Sequence, residues 1–225
     1  MSIRNTYKLY RIILLLSAAG CLSAQAAVTV SYDAAMPATN VLTSFVPAGT
    51  VNGLQWRDDT ANVSRAVGQS FLAVSNAIMD SFSLMAVTSG GSLQSGAVNA
   101  PFTVIIYESS SETDLGTAIS TQGGNYLSSA PGLGGQWITF DIEDINLTAG
   151  KYYTFTLMWD TPAKAGQSQT FGAATTSENY PNGRNWRKDG TANWAVANSG
   201  LADMAFVVQY GFPAKNVRLL IIGGN

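Results

Sequence analysis

Two stretches of the chain interleave aromatic rings with polar and charged side chains. One is Gln55-Trp56-Arg57-Asp58-Asp59-Thr60-Ala61-Asn62-Val63. The other runs Tyr180-Pro-Asn-Gly-Arg184-Asn-Trp186-Arg187-Lys188-Asp189-Gly-Thr-Ala-Asn193-Trp194. This mixture suits sugar recognition: an indole buries apolar area against the flat C–H face of a pyranose, while Asp, Asn and Arg take up the hydroxyls. The candidate ligand-binding residues are therefore Trp186, Trp194, Tyr180, Arg184, Arg187 and Asp189, joined by Trp56 where the fold brings it alongside. The plain alternative is structural. On a strand Trp186 and Trp194 would face the core, and the Arg187 stem would cover an apolar flank. Both stretches read Trp-Arg-x-Asp followed by Thr-Ala-Asn, but only the second holds a glycine, Gly190. That makes the second a hairpin turn and the first an open loop, so the two read as separate turns and not as copies of one unit.

Acid–base chemistry is confined to carboxylates, because the sequence contains no histidine. Ser-His-Asp triads, imidazole bases and Cys/His zinc sites are excluded for this chain by itself. A glycosidase needs two carboxyl groups facing each other about 5–5.5 Å or roughly 6.5–9.5 Å apart. The two acidic clusters are Asp58-Asp59 and Asp141, Glu143, Asp144. Neighbours in extended chain point to opposite faces, so neither cluster forms such a pair alone, and a carboxylate glycoside hydrolase is the weaker reading. No cofactor is expected. Asp58, Asp59 and Asn62 are the oxygen ligands that a structural Ca²⁺ would take, with the second cluster as another candidate set. The simpler reading of both is solvated turn carboxylates.

The ends bound the rest. Arg4, Lys8 and Arg11 precede the apolar run Ile12–Ala19, and Ala24-Gln25-Ala26 is an A-x-A cleavage site. Residues 1–26 read as a secretory signal cut near Ala26. Lipidation at Cys21, the single cysteine, is the competing reading. Three of the twelve Lys and Arg lie in that segment, leaving nine against fourteen Asp and Glu, a net charge of −5. An acidic, secreted or cell-surface protein is no nucleic-acid binder, which needs a basic face. The final stretch, Val217-Arg-Leu-Leu-Ile-Ile-Gly-Gly-Asn225, is too short and too interrupted to cross a bilayer, so no integral membrane span is expected in the mature chain.

The elements that must position these residues are strands. Tyr153, Phe155, Leu157 and Trp159 alternate with Tyr152, Thr154, Thr156 and Met158, and Met204, Phe206, Val208 and Tyr210 form a second stripe of period two. Ile78, Phe82, Leu84 and Ala86 form a third, broken at Asp80. Residues 102–108 and 136–142 have the β-branched and aromatic content of strands. Weaker candidates are 28–33, 41–46, 66–73, 116–120, 169–174 and 193–197. Trp137 and Trp159 sit in clean apolar stripes and are expected in the core. Lys188-Asp-Gly-Thr191 predicts a two-residue hairpin turn that pairs 184–187 with 193–197. The fold class is all-β, a two-sheet antiparallel β-sandwich of jelly-roll-like winding, with one domain over 27–212 and a tail over 213–225.

Gly68-Gln-Ser-Phe71 before a strand at Ile78, Val104-Ile-Ile-Tyr107, Leu147-Thr-Ala-Gly150-Lys-Tyr-Tyr153 and Leu201-Ala-Asp-Met-Ala-Phe206 together resemble secreted bacterial β-sandwich ectodomains of the PEP-CTERM and choice-of-anchor type. The resemblance covers most of residues 60–210 through short motifs. It implies a surface or exopolysaccharide-associated protein with a carbohydrate-binding-like jelly roll and no established reaction. The chain departs from that pattern at its end, which has no Val-Pro-Glu-Pro sequence and no full apolar helix before a basic tail. The expected function is a secreted, non-catalytic β-sandwich whose partner is a polysaccharide or cell-surface glycan. A structural matrix or surface protein that binds other surface proteins is the alternative.

Overall fold

The computed structural model describes residues 27–48, 51–58, 64–87, 97–127, 135–160, 167–174, 179–197 and 203–211. Among them lie thirteen strands: β1 (Thr29–Asp33), β2 (Val41–Phe45), β3 (Val51–Asp58), β4 (Ser64–Leu72), β5 (Ala77–Met85), β6 (Pro101–Ser109), β7 (Thr117–Asn125), β8 (Trp137–Leu147), β9 (Tyr152–Trp159), β10 (Gln167–Ala174), β11 (Asn185–Asp189), β12 (Ala195–Val196) and β13 (Phe206–Tyr210). They form two antiparallel sheets packed face to face, the all-β sandwich that the period-two stripes dictate. The five-stranded sheet runs β1-β8-β5-β13-β2. The eight-stranded sheet runs β10-β3-β4-β9-β6-β7, with β11 added to β4 and β12 added to β11. The chain crosses between sheets from β2 to β3, β4 to β5, β5 to β6, β7 to β8, β8 to β9 and β12 to β13, so both sheets share one core.

That core is aromatic. Phe82 of the smaller sheet stacks on Phe155 of the larger, with ring centroids 4.2 Å apart, and on its neighbour Phe140 at 4.9 Å. Trp159 is buried in this core as its stripe requires; Trp137 is buried too, but on the opposite face of β8 from Ile138 and Phe140, in a small separate cluster with Ala205 and Val207. Burial of each such side chain stabilises by roughly 1.5–3 kcal/mol. The margins of the sandwich are closed by backbone pairing. The Val28 N–H donates to the Gly123 carbonyl at 2.9 Å, joining the start of β1 to β7. Val87 and Ala205 donate to Thr170 and Gly172 and so cover the outer edge of β10.

The break in the third stripe at Asp80 has a mechanical cause. Met79 pairs with Ile145 and Ser81 with Asp141, so Ile142, Glu143 and Asp144 together sit opposite Asp80. This bulge resets the phase of β8: Ile138 and Phe140 point inward before it, Ile142 is buried at its start, and Ile145 and Leu147 point inward after it. Gln122 of β7 pins the bulge, its Oε1 accepting the Glu143 N–H at 2.7 Å. The acidic cluster Asp141, Glu143 and Asp144 is thus the solvent side of a bulged strand.

The turn at Asp189-Gly190 differs from the expected two-residue hairpin. Trp186 pairs with Val196 and Arg187 with Ala195, so residues 188–194 all belong to the connection. The pairing partners fall within the expected segments, but the loop is wider. The Gly190 N–H donates to the Ser64 carbonyl at 2.8 Å and thereby extends the pairing of β11 with β4 in place of closing on Lys188. The turn itself tightens one step later, where Ala192 N–H donates to the Asp189 carbonyl at 3.0 Å.

Candidate functional site

The structure disperses the residues that the sequence groups together. Trp56 lies on β3 and is completely buried, with Trp159 stacked flat against it and Phe102 and Tyr126 edge-on. A sugar has no access to its ring, so Trp56 is a core residue and leaves the candidate surface. β3 was not evident as a strand, although Leu54 and Trp56 alternate with Gln55 and Arg57, because Asn52 and Gly53 dilute the pattern.

Tyr180 also belongs to the interior. Its ring packs edge-on against Phe206 at 5.1 Å, and its hydroxyl hydrogen-bonds the Thr43 hydroxyl at 2.8 Å. Burial pushes the phenol pKa up, with the Thr43 bond opposing. Beneath this segment the carboxylate of Asp203, fully buried, accepts from the Gln69 amide at 2.9 Å and the Tyr180 N–H at 2.9 Å. Burial raises the Asp203 carboxyl above its ordinary value, and these hydrogen bonds together with the charge of Arg184 hold it partly down.

Arg184 is engaged structurally. Its N–H donates to Ser70 Oγ at 2.7 Å, its carbonyl accepts from the Ser70 N–H at 2.9 Å, and its guanidinium pairs with Glu112. Gly183 permits this approach, since any Cβ there would overlap the Ser70 carbonyl. The segment carrying Tyr180 and Arg184 is therefore a strap tied to β4 and Asp203, with its polar groups already spent on the fold.

Trp186 is buried in an unusual place. It pairs with Gly68, which pairs with Thr156, whereas their neighbours Val67 and Leu157 point into the core. Residues opposite each other in an antiparallel pair share a face, so Trp186 lies on the outer face of the larger sheet. On that face a Cβ at Gly68 would meet the Phe155 carbonyl and the Thr156 side chain, so the glycine admits the close approach of β9 next to the strand that carries the Trp186 indole. The indole N–H finds no acceptor among the described residues.

What remains together on the surface is the end of the β11–β12 hairpin. Trp194 is half-buried, and its side chain hydrogen-bonds the Tyr107 hydroxyl, which opposes the rise that burial imposes on that phenol. Arg187 and Asp189 form an ion pair at 2.9 Å, and Asp189 uses its other oxygen for Arg65 at 2.8 Å. Arg187, Asp189, Asn193 and Val196 line a shallow hollow of about 130 Å³. On the other side of the turn a second hollow of about 180 Å³ has Ala66, Met158 and Trp159 as its apolar wall and Arg57, Arg65, Lys188 and Asp58 around it. The convergence of Arg57, Arg65 and Lys188 is not visible in the sequence, because it depends on β11 adding to β4.

A further concavity, of about 500 Å³, lies apart from the hairpin. It opens between Leu42, Asn76, Ile78, Asn146 and Tyr210 of the smaller sheet and carries no charged side chain. Asp58 is buried beside the basic hollow, Asp59 and Asn62 lie outside the described residues, and no group of three or more acidic, His or Cys side chains suited to a metal occurs among those described. Nor is any described helix long and apolar enough to cross a membrane.

Fold and surface together define an antiparallel β-sandwich with a polar hairpin on its larger sheet. No protein-family model matches the chain, and neither a curated protein nor a solved structure matches it.

Proposed function

We propose that the chain is a secreted, non-catalytic β-sandwich that binds carbohydrate, as a surface or exopolysaccharide-associated protein, through the tip of the β11–β12 hairpin. One observation supports this most: of the three tryptophans in the two polar stretches, Trp194 alone is only half-buried, and the hairpin that carries it also carries Arg187, Asp189 and Asn193. The half-exposed indole offers a stacking surface, while the guanidinium and carboxylate offer donors and acceptors for hydroxyls.

The test is binding to a glycan array and to insoluble polysaccharides, with Trp194→Ala as the variant. Loss of at least about tenfold in affinity by a protein with an unchanged melting temperature is the expected result. Binding that ignores Trp194 but falls in Tyr210→Ala would move the site to the larger groove, which Tyr210 lines together with Asn76 and Asn146. No binding to any glycan would overturn the reading and return the protein to the structural alternative.

A further inference from the structure

We infer that the groove where β5 begins and β8 and β13 end is a second sugar site, and that it takes an uncharged acetamido sugar unit. This rests on the carbohydrate-binding reading above, but not on the hairpin that the reading uses. The groove measures about 500 Å³, within the roughly 300–1,000 Å³ of small-molecule sites. Leu42, Ile78 and Leu147 supply an apolar wall, Tyr210 a half-buried ring, and Asn76 and Asn146 two carboxamides. No charged side chain lines it. Asp80 stands just outside: a Cβ on Gly211, which lines the groove, would lie 3.1 Å from the Asp80 Cβ. A carboxylate at the rim of an uncharged groove repels an anionic ligand and leaves room for a neutral one.

The backbone on both sides of the groove is tied down. The Ala73 N–H donates to the Lys151 carbonyl at 2.9 Å, and the Gly150 N–H donates to the Ala73 carbonyl at 2.8 Å. The Ala149 N–H donates to Asn76 Oδ1 at 2.8 Å, so the turn before β5 is clipped to the turn before β9. Across the groove the Gly211 N–H donates to the Ile78 carbonyl at 2.9 Å, and the Tyr210 N–H to the Asn40 carbonyl at 2.8 Å. With its oxygen engaged, Asn76 has its two amide N–H groups to offer a ligand. Asn146 pairs with Ile78, so the two side chains leave the same face of the sheet. Its exposed carboxamide brings both a donor and an acceptor.

The balance of apolar and amide groups selects the sugar. A plain pyranose carries hydroxyls around its edge and would leave much of the aliphatic wall without a partner. An acetamido group has the matching parts: a methyl for the wall, a carbonyl for the Asn76 donors and an N–H for the Asn146 oxygen. Val74, 71% exposed and next in sequence to Ser75 of the lining, adds apolar surface on the same turn.

Amide NMR spectra of the isotope-labelled full chain, titrated with N-acetylglucosamine, glucose and glucuronate, test the inference. N-acetylglucosamine is expected to move the side-chain signals of Asn76 and Asn146 and the Gly211 amide saturably. Glucose should bind at least about tenfold more weakly, and glucuronate should move none of them. Asn146→Ala should weaken N-acetylglucosamine binding by about fivefold. Ser75→Arg, a long side chain placed at an exposed position of the lining, should abolish it, and both variants should keep the wild-type melting temperature. No saturable shift at the groove, glucose bound as tightly as N-acetylglucosamine, a preference for glucuronate, or an Asn146→Ala protein that binds like the wild type would overturn the inference. Acetamide binding as tightly as the sugar would assign the groove to simple amides and also overturn it. The two proposals fail separately. Polysaccharide binding that depends on Trp194, with no shift at the groove, would leave only the hairpin reading, whereas groove shifts unchanged by Trp194→Ala in a protein whose polysaccharide binding ignores Trp194 would leave only the groove.

Discussion

Trp56 and Trp159 lie face to face in the core, ring centroids 3.6 Å apart and planes within 2° of parallel. Neither indole N–H has an acceptor among the described residues. The pair joins β3 to β9 within the larger sheet, and Phe102 and Tyr126 close around it edge-on. Aromatic contacts of this kind add about 0.5–1.5 kcal/mol each beyond area burial, whereas a buried donor without a partner costs about 1–3 kcal/mol.

Those opposing terms set an order among variants. Trp56→Ala empties the centre of the cluster and is expected to cost about 3–5 kcal/mol. Trp56→Phe keeps a ring on Trp159 and removes the unanswered N–H, so its cost should be well below that of alanine. Urea denaturation followed by fluorescence gives both values, and the coupled indole signal in near-UV circular dichroism should vanish in each. A Trp56→Ala protein as stable as the wild type would show that the ring is not packed as described.

Gly190 permits a cleaner measurement of backbone cost. Its φ is +56°, and a Cβ there would meet nothing within 4 Å. Gly190→Ala should therefore destabilise through conformation alone, by about 1–2 kcal/mol. Gly190→Asn should recover part of this, because asparagine tolerates the left-handed region. Thermal unfolding of the two variants is the check, and an alanine variant no less stable than wild type would contradict the turn.

Legibility in the sequence followed the strength of the local pattern. Alternation of Phe155, Leu157 and Trp159 with threonines specifies both the strand and its buried face, and the structure keeps that assignment. The same logic fails for Trp56 and Trp186. The polar neighbours of Trp56 suggested a surface, but alternation places such neighbours on the opposite side of any strand with one buried face. Trp186 is harder, because it is buried on the outer face of a sheet, and only its pairing with Gly68 places it there. Sequence distance hides that pairing. The candidate site was legible as a hairpin with charged residues, while the approach of Arg57 and Arg65 to Lys188 required the order of strands.

The buried Asp203 makes stability depend on pH in a direction opposite to that of a surface ion pair. Burial raises its carboxyl in the folded state, although Gln69, the Tyr180 N–H and Arg184 oppose the rise. Between the ordinary carboxylate value of about 3.9 and the raised folded value, the folded protein binds more protons than the unfolded chain. Stability from this group is therefore fully present below the unfolded pKa and is lost as pH rises through the folded one. Asp203→Asn removes that dependence but turns an N–H toward a donor that the carboxylate now accepts, at a cost of about 1–3 kcal/mol. The stability difference between wild type and variant should thus be larger near pH 4 than near pH 7, measured by urea denaturation at both. A difference that grows toward neutral pH would mean that the charged carboxylate is itself the stabilising form, with Arg184 outweighing the desolvation.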